Sequence, residues 1–254
     1  MRTSLPVPVV LGVAALCVAA AAPPGRAPSP DLSLTADEIL AGTNAFRREQ
    51  SLGQVAEDPV LDKVAGAFAA YLARTGRFAH EADGRTPAQR AVAGGYDYCE
   101  VAENLAWRED SRGFEALRLG RLFVEDWKQS PGHRRNLMDP DVTQIGVGVA
   151  RGEGRLPRYV AVQLFGRPAS LRYSFQLSNR AGQPVTYAVG ERRQTIAPQT
   201  IITHTVCGRE PLTFDSAVSG AAAAALTPGP GAVYLLRRGP RGGVVLEAGR
   251  AAGG

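Results

Sequence analysis

Two of the chain's three histidines, His80 and His133, and the carboxylate of Glu103 stand in short segments crowded with polar and aromatic neighbours. The segments are Phe78-Ala79-His80, Glu103-Asn104-Leu105-Ala106-Trp107 and Trp127-Lys128-Gln129-Ser130-Pro131-Gly132-His133. Two imidazoles and a carboxylate are the smallest set that can hold a divalent metal or carry a proton transfer. Three arrangements of this trio are open. His80, His133 and Glu103 could hold zinc with water in the fourth position, a geometry that permits hydrolysis with Glu103 as ligand or base. The cleft could instead be metal-free, with Glu103 orienting an imidazole. Or Glu103 could accept from backbone amides while His133 caps the short turn begun by Ser130-Pro131. The long separations, unlike a compact helical His-Glu-x-x-His, do not choose among them. Ser130 lies three residues before His133, but Ser-Pro after a helix reads as an N-cap with proline in the next turn, and nothing marks a nucleophile elbow. His204 reads as a half-exposed strand residue, and Trp107 and Trp127 as core.

Helices must carry most of these residues. Thr35-Ala36-Asp37-Glu38 is a capping box ahead of Ile39, Leu40 and Phe46, with Gly53 as a stop. Asp58-Pro59 opens a second helix, on which Leu61, Val64, Ala65, Phe68, Ala69 and Leu72 line one face before Gly76. Thr86-Pro87-Ala88-Gln89 opens a third that stops at Gly94-Gly95, and a fourth is predicted from about Phe114 to Lys128. Strands follow at Gln144 to Ala150 and Tyr159 to Phe165. Gly146 and Gly148 suggest that another element packs closely on the first of these. Helices first and strands afterwards predict an α+β fold with an antiparallel sheet. From Pro168 onward short alternating runs appear at 171–177, 185–189, 202–206, 232–236 and 244–246. They predict a small β-sandwich or barrel-like module, with 220–231 as a loop.

The N-terminus, Met1-Arg2-Thr3 followed by an apolar run to Ala22, matches a secretory signal peptide over 1–22, with a Pro/Ala linker over 23–32. An uncleaved membrane anchor is the lesser alternative. Cys17 belongs to the leader, because Leu16 precedes it where a lipobox wants a small residue. That leaves Cys99 and Cys207, which in an oxidising compartment either pair or remain two separate half-buried thiols. The net charge of +5 is carried almost wholly by arginine, since Lys63 and Lys128 are the chain's two lysines. The arginines are scattered and not interleaved with aromatics, which argues against nucleic acid as a partner.

Residues 33–168 resemble the CAP superfamily, the cysteine-rich secretory, antigen 5 and pathogenesis-related 1 proteins, also called SCP domains. The resemblance rests on an ordered series: Asn44-Ala45-Phe46-Arg47, Phe78-Ala79-His80, Gly95-Tyr96, Ala102-Glu103-Asn104-Leu105-Ala106, and Trp127 with Ser130-Pro131-Gly132-His133. Arg135-Asn136-Leu137, Ile145-Gly146-Val147-Gly148 and Gln163-Leu164-Phe165-Gly166 complete it. It implies a three-layer α-β-α sandwich, followed here by the β-rich module over 169–254. It also implies a cleft lined by His80, Glu103 and His133, with Asn104 and Ser130 beside them. Many eukaryotic members carry a second glutamate three residues after the tryptophan; this chain has Ser130 there, as in the bacterial branch, so the tetrad is incomplete.

The resulting expectation is a secreted or periplasmic protein whose His/Glu cleft binds a metal, lipid or peptide without turnover. The alternative is a zinc-dependent, peptidase-like hydrolase using His80, His133 and Glu103. Zinc is the one cofactor the resemblance suggests. Beyond Ala169 there are nine arginines and four acidic residues, so the tail is a candidate for contact with an acidic envelope surface. The sequence names neither the ligand nor the oligomeric state.

Overall fold

Aspartate, threonine and proline set the helix starts. The computed structural model describes residues 29–154, 156–215, 218–220 and 225–248, so the expected leader and Cys17 lie outside the described residues. Helix α1 (Leu32–Glu49) begins a turn earlier than the Thr35 box predicts. Asp31 is the better cap: its Oδ1 accepts from Ser33 N at 2.9 Å and Leu34 N at 3.2 Å. Thr35 is buried instead, and its hydroxyl donates to Asp31 O and Ala116 O. The helix ends at Glu49, ahead of Gly53, and it is Ser51 that takes the left-handed turn, at φ 59°. Helix α2 (Pro59–Thr75) starts on Asp58, which caps Val60 N and Leu61 N, and stops at left-handed Gly76. Helix α3 (Pro87–Gly94) has the reciprocal Thr86/Gln89 capping box. Helices α4 (Ala116–Gln129) and α5 (Pro131–Leu137) meet at Ser130.

One sheet separates these helices. Its strands are β1 (Ala56–Glu57), β2 (Tyr98–Arg108), β3 (Gln144–Arg151) and β4 (Tyr159–Pro168), in the order β1-β3-β4-β2. β4 runs antiparallel to both β3 and β2. Side chains alternate across a strand, and the two faces bury different helices. Ala106, Ile145, Ala161 and Phe165 pack with Ile39, Phe46, Phe123, Trp127 and Leu137 of α1, α4 and α5. Leu105, Val160, Val162 and Leu164 pack with Leu61, Phe68, Leu72 and Ala91 of α2 and α3. The result is a three-layer α-β-α sandwich. Gly146 and Gly148 face the backbone of α2, at Leu61–Asp62 and Ala65–Gly66, where no Cβ has room.

The C-terminal strands are β5 (Tyr173–Arg180), β6 (Val185–Val189), β7 (Arg192–Ile196), β8 (Thr200–Val206), β9 (Leu212–Phe214), β10 (Val218–Gly220), β11 (Val233–Arg238) and β12 (Val244–Ala248). They form a five-stranded sheet, β10-β12-β11-β5-β8, and a three-stranded one, β7-β6-β9. Phe175, Leu177, Tyr187, Ile196, Leu212, Leu236 and Leu246 share one core between them. A Cys99–Cys207 disulfide, with Cα atoms 5.3 Å apart, fastens this β-rich unit to the start of β2. Beside it, the Arg167 guanidinium donates to Cys207 O and Asp141 O, and Asp141 Oδ2 accepts from Arg209 N at 3.1 Å.

Candidate functional site

β2 is the edge strand of its sheet on the side away from β1, so residues on it can meet both helical layers. Glu103 points to the α2–α3 layer and Asn104 to the α1–α4–α5 layer, as the burial of Leu105 and Ala106 in the two cores requires. The segment between α2 and α3 carries His80 back along this edge. Its path is held by Tyr71 Oη donating to Ala82 O at 3.0 Å and by Arg90 Nη1 donating to Arg85 O at 2.7 Å.

Glu103 has a side chain only 1% exposed, and both its oxygens are engaged. Oε1 lies 2.8 Å from His80 Nδ1, and Oε2 accepts from Arg90 Nη2 at 2.8 Å. Arg90 is buried too; it donates to Asp83 Oδ1 at 2.9 Å and lies 3.5 Å over the Phe68 ring. A buried carboxylate demands a cationic partner, and here Arg90 supplies it. With Nδ1 against a carboxylate, the neutral imidazole carries its proton there and leaves the Nε2 lone pair free. The His80 side chain is 52% exposed, so that lone pair has access to solvent.

Asn104 does not line the opening. It is fully buried, donating to Gln163 Oε1 at 3.0 Å and His133 O at 3.3 Å, and accepting from Asn136 Nδ2 at 2.8 Å. Gln163 in turn donates to Thr43 Oγ1 at 2.8 Å, and Asn136 donates to Glu103 O at 3.2 Å. This chain of amides pins α5, and with it His133, to β2 and β4. Burial first, then the His80 imidazole, hold the His133 pKa below its ordinary value, against the pull of Asp126. His133 is therefore held toward its neutral form. Ser130 is the half-buried junction of α4 and α5, and its hydroxyl makes no capping hydrogen bond.

Among the described residues no three His, Cys, Asp or Glu side chains gather as a metal site would. Each Glu103 oxygen already has a partner, His80 on one and Arg90 on the other. Arg90 escapes sequence reasoning, because an arginine in a short helix looks like a solvated residue. Trp107 departs from the expected core role. Trp127 is fully buried, but Trp107 is 40% exposed with the Arg158 guanidinium 4.0 Å over its ring. His204 is half-buried in the β-rich unit, hydrogen-bonded to Tyr187 Oη at 2.9 Å and far from this cleft in the fold.

Comparison with known proteins gives matches over about half of the chain. The uncharacterised protein YkwD of Bacillus subtilis is 29% identical over 112 residues, 44% of this chain and 40% of that protein. The membrane protein YlbC of the same organism is 29% identical over 115 residues, 45% of this chain and 31% of that one. The chain thus spans less than half the length of the curated relatives it matches. Among solved structures, an extracellular SCP-domain protein of Bacillus anthracis is 24% identical, with a TM-score of 0.45 over 54% of this chain and 41% of that one. An outer surface protein of Borrelia burgdorferi is 24% identical, with a TM-score of 0.44 over 53% of this chain and 92% of that one. Residues 40–165, which hold α2, α3, His80, Glu103, His133 and most of the three-layer sandwich, match the model of the CAP cysteine-rich secretory protein family, and through this domain the chain belongs to the CAP superfamily.

Proposed function

We propose that this is a secreted or periplasmic CAP-domain protein that uses the His80–His133 cleft to bind a small ligand without turning it over. The observation that carries the reading is the engagement of Glu103. A hydrolase would need that carboxylate free as a metal ligand or as a base on water. Here it is buried, paired with Arg90 and committed to orienting His80. The Cys99–Cys207 disulfide supports a location outside the cytoplasm, where such bonds form and persist. No helix among the described residues is long and apolar enough to cross a membrane.

The donor set fits a modest metal site and not a complete one. Zinc, if bound, would take the two imidazoles of His80 and His133, with Glu103 behind His80 as the partner that fixes its ring. Bound zinc would offer Lewis acidity there. His80 and His133 are also suited, without metal, to hydrogen-bond a carboxylate or a peptide carbonyl. Native mass spectrometry of the mature chain, purified without chelators and compared with His80→Ala and His133→Ala, tests this. A zinc-sized adduct lost in either folded variant supports ligation by the imidazoles. Peptidase turnover that disappears in Glu103→Gln while the fold persists would overturn the non-enzymatic reading.

A further inference from the structure

A groove of about 420 Å³ opens between α2 and α3, on the far side of Arg90 from the imidazole cleft. Its volume is in the range of small-molecule pockets. Ala67 and Tyr71 give it an apolar wall, with the Phe68 ring buried behind it, nearly parallel to Tyr71 at 6.3 Å between centroids. Lys63, Arg74, Arg85 and Arg90 also line it, against a single carboxylate, Asp83. That carboxylate is already bonded to Arg90. Lys63, Arg74 and Arg85 are exposed, and none of them is in the ion pairs formed among the described residues. Arg90 adds an independent sign. Its side chain is 6% exposed and its Nη atoms are bonded to Asp83, Arg85 O and Glu103, yet its buried Nε at the groove's inner wall has no hydrogen-bond partner. Buried donors are seldom left in that state.

We propose that this groove is a second ligand site, for an aromatic monocarboxylate. The flat apolar body would lie against Ala67 and the half-buried Tyr71 ring, over which the Arg74 guanidinium already sits at 5.8 Å. Lys63, Arg74 and Arg85 are spread around the groove, and their summed positive field would draw the carboxylate into a low-dielectric hollow. The site is independent of the reading proposed for the cleft, though the two share a wall: Arg90 borders the groove, and its Nη2 holds Glu103.

Isothermal titration of the purified chain with 2-naphthoate, 2-naphthol and 2-naphthylmethylamine tests the site. The carboxylate should bind about tenfold or more tightly than either the neutral or the cationic analogue. Ala67→Trp, at an exposed helix position, should fill the groove and abolish binding. Lys63→Glu combined with Arg85→Glu should weaken it about tenfold or more, and His80→Ala should leave it within about twofold. Circular dichroism and melting of each variant check that the fold is kept. Equal affinity for 2-naphthoate and 2-naphthol, binding that survives Ala67→Trp, or binding lost in His80→Ala would each overturn the assignment.

Discussion

The side chains Asp83, Arg90, Glu103 and His80 form a line of alternating partners in which only the last reaches well into solvent. Removing one member of a buried ion pair strands the other's charge. Arg90→Met should therefore destabilise the chain by about 3–5 kcal/mol in urea unfolding at pH 7. The double variant Arg90→Met/Glu103→Leu should recover most of that loss, because no buried charge is left. If the double variant were as unstable as the single, the carboxylate would not be the cause.

The elements show which features the sequence exposed and which it hid. Asp58-Pro59 and Thr86-Pro87 marked their helices because capping is local chemistry, readable within four residues. The start of α1 moved because Asp31 outcompetes Thr35 for the cap, and Thr35 is needed inward against α4. β2 escaped notice although it is the longest strand and carries Glu103, Asn104 and Cys99. Its polar residues point inward on both faces, to Arg90 on one side and to Gln163 and Asn136 on the other, so no apolar alternation signals a strand. α5 was half legible: Ser130-Pro131 reads as an N-cap with proline after it, where the helix does start, though nothing there marks a helix of seven residues. His80 and Glu103 could be named from the family pattern, and Glu103 orienting an imidazole is one of the arrangements open to the sequence, but that the imidazole is His80's is not legible across 23 positions and a whole helix. Gly146 and Gly148 were legible as a close approach, and the partner proves to be the α2 backbone. Gly148→Ala should cost about 1–3 kcal/mol or more through overpacking, measured by denaturant midpoint. A neutral outcome would mean that α2 slides on β3 without penalty.

Across the whole molecule, a disulfide and a charged cluster reinforce the chain's own link between the CAP domain and the β-rich unit. Cys99 and Cys207 are 108 residues apart, so their bond removes a large share of the unfolded chain's freedom. Cys99→Ser/Cys207→Ser should cost about 4–5 kcal/mol by loop entropy, read as a lower melting temperature than the oxidised parent. Beside it, Glu100 is pushed up to about 7 by burial, then by its hydrogen bond to Asp139 and the charges of Asp139 and Asp141, against Arg167. At the opposite edge of the same sheet, burial and then the Glu57 and Asp58 carboxylates raise Asp62 to about 6, against the N–H of Val147. Both are acids whose folded form holds its proton longer than the unfolded chain, where carboxyls titrate near 4. Between about pH 4 and 7 the unfolded state therefore binds fewer protons, and these two groups make stability fall as pH rises. Above pH 7 their penalty is complete. The lowered pKa values of His133 and His204 work the other way, weakening the fold as pH drops through the ordinary histidine range. The parent's own profile sums these opposing slopes, so the difference between parent and Glu100→Gln is the informative quantity. The variant should melt higher than the parent at pH 8 and level with it near pH 4. A constant gap across that range would place the effect in packing at the domain junction and not in the proton held by Glu100.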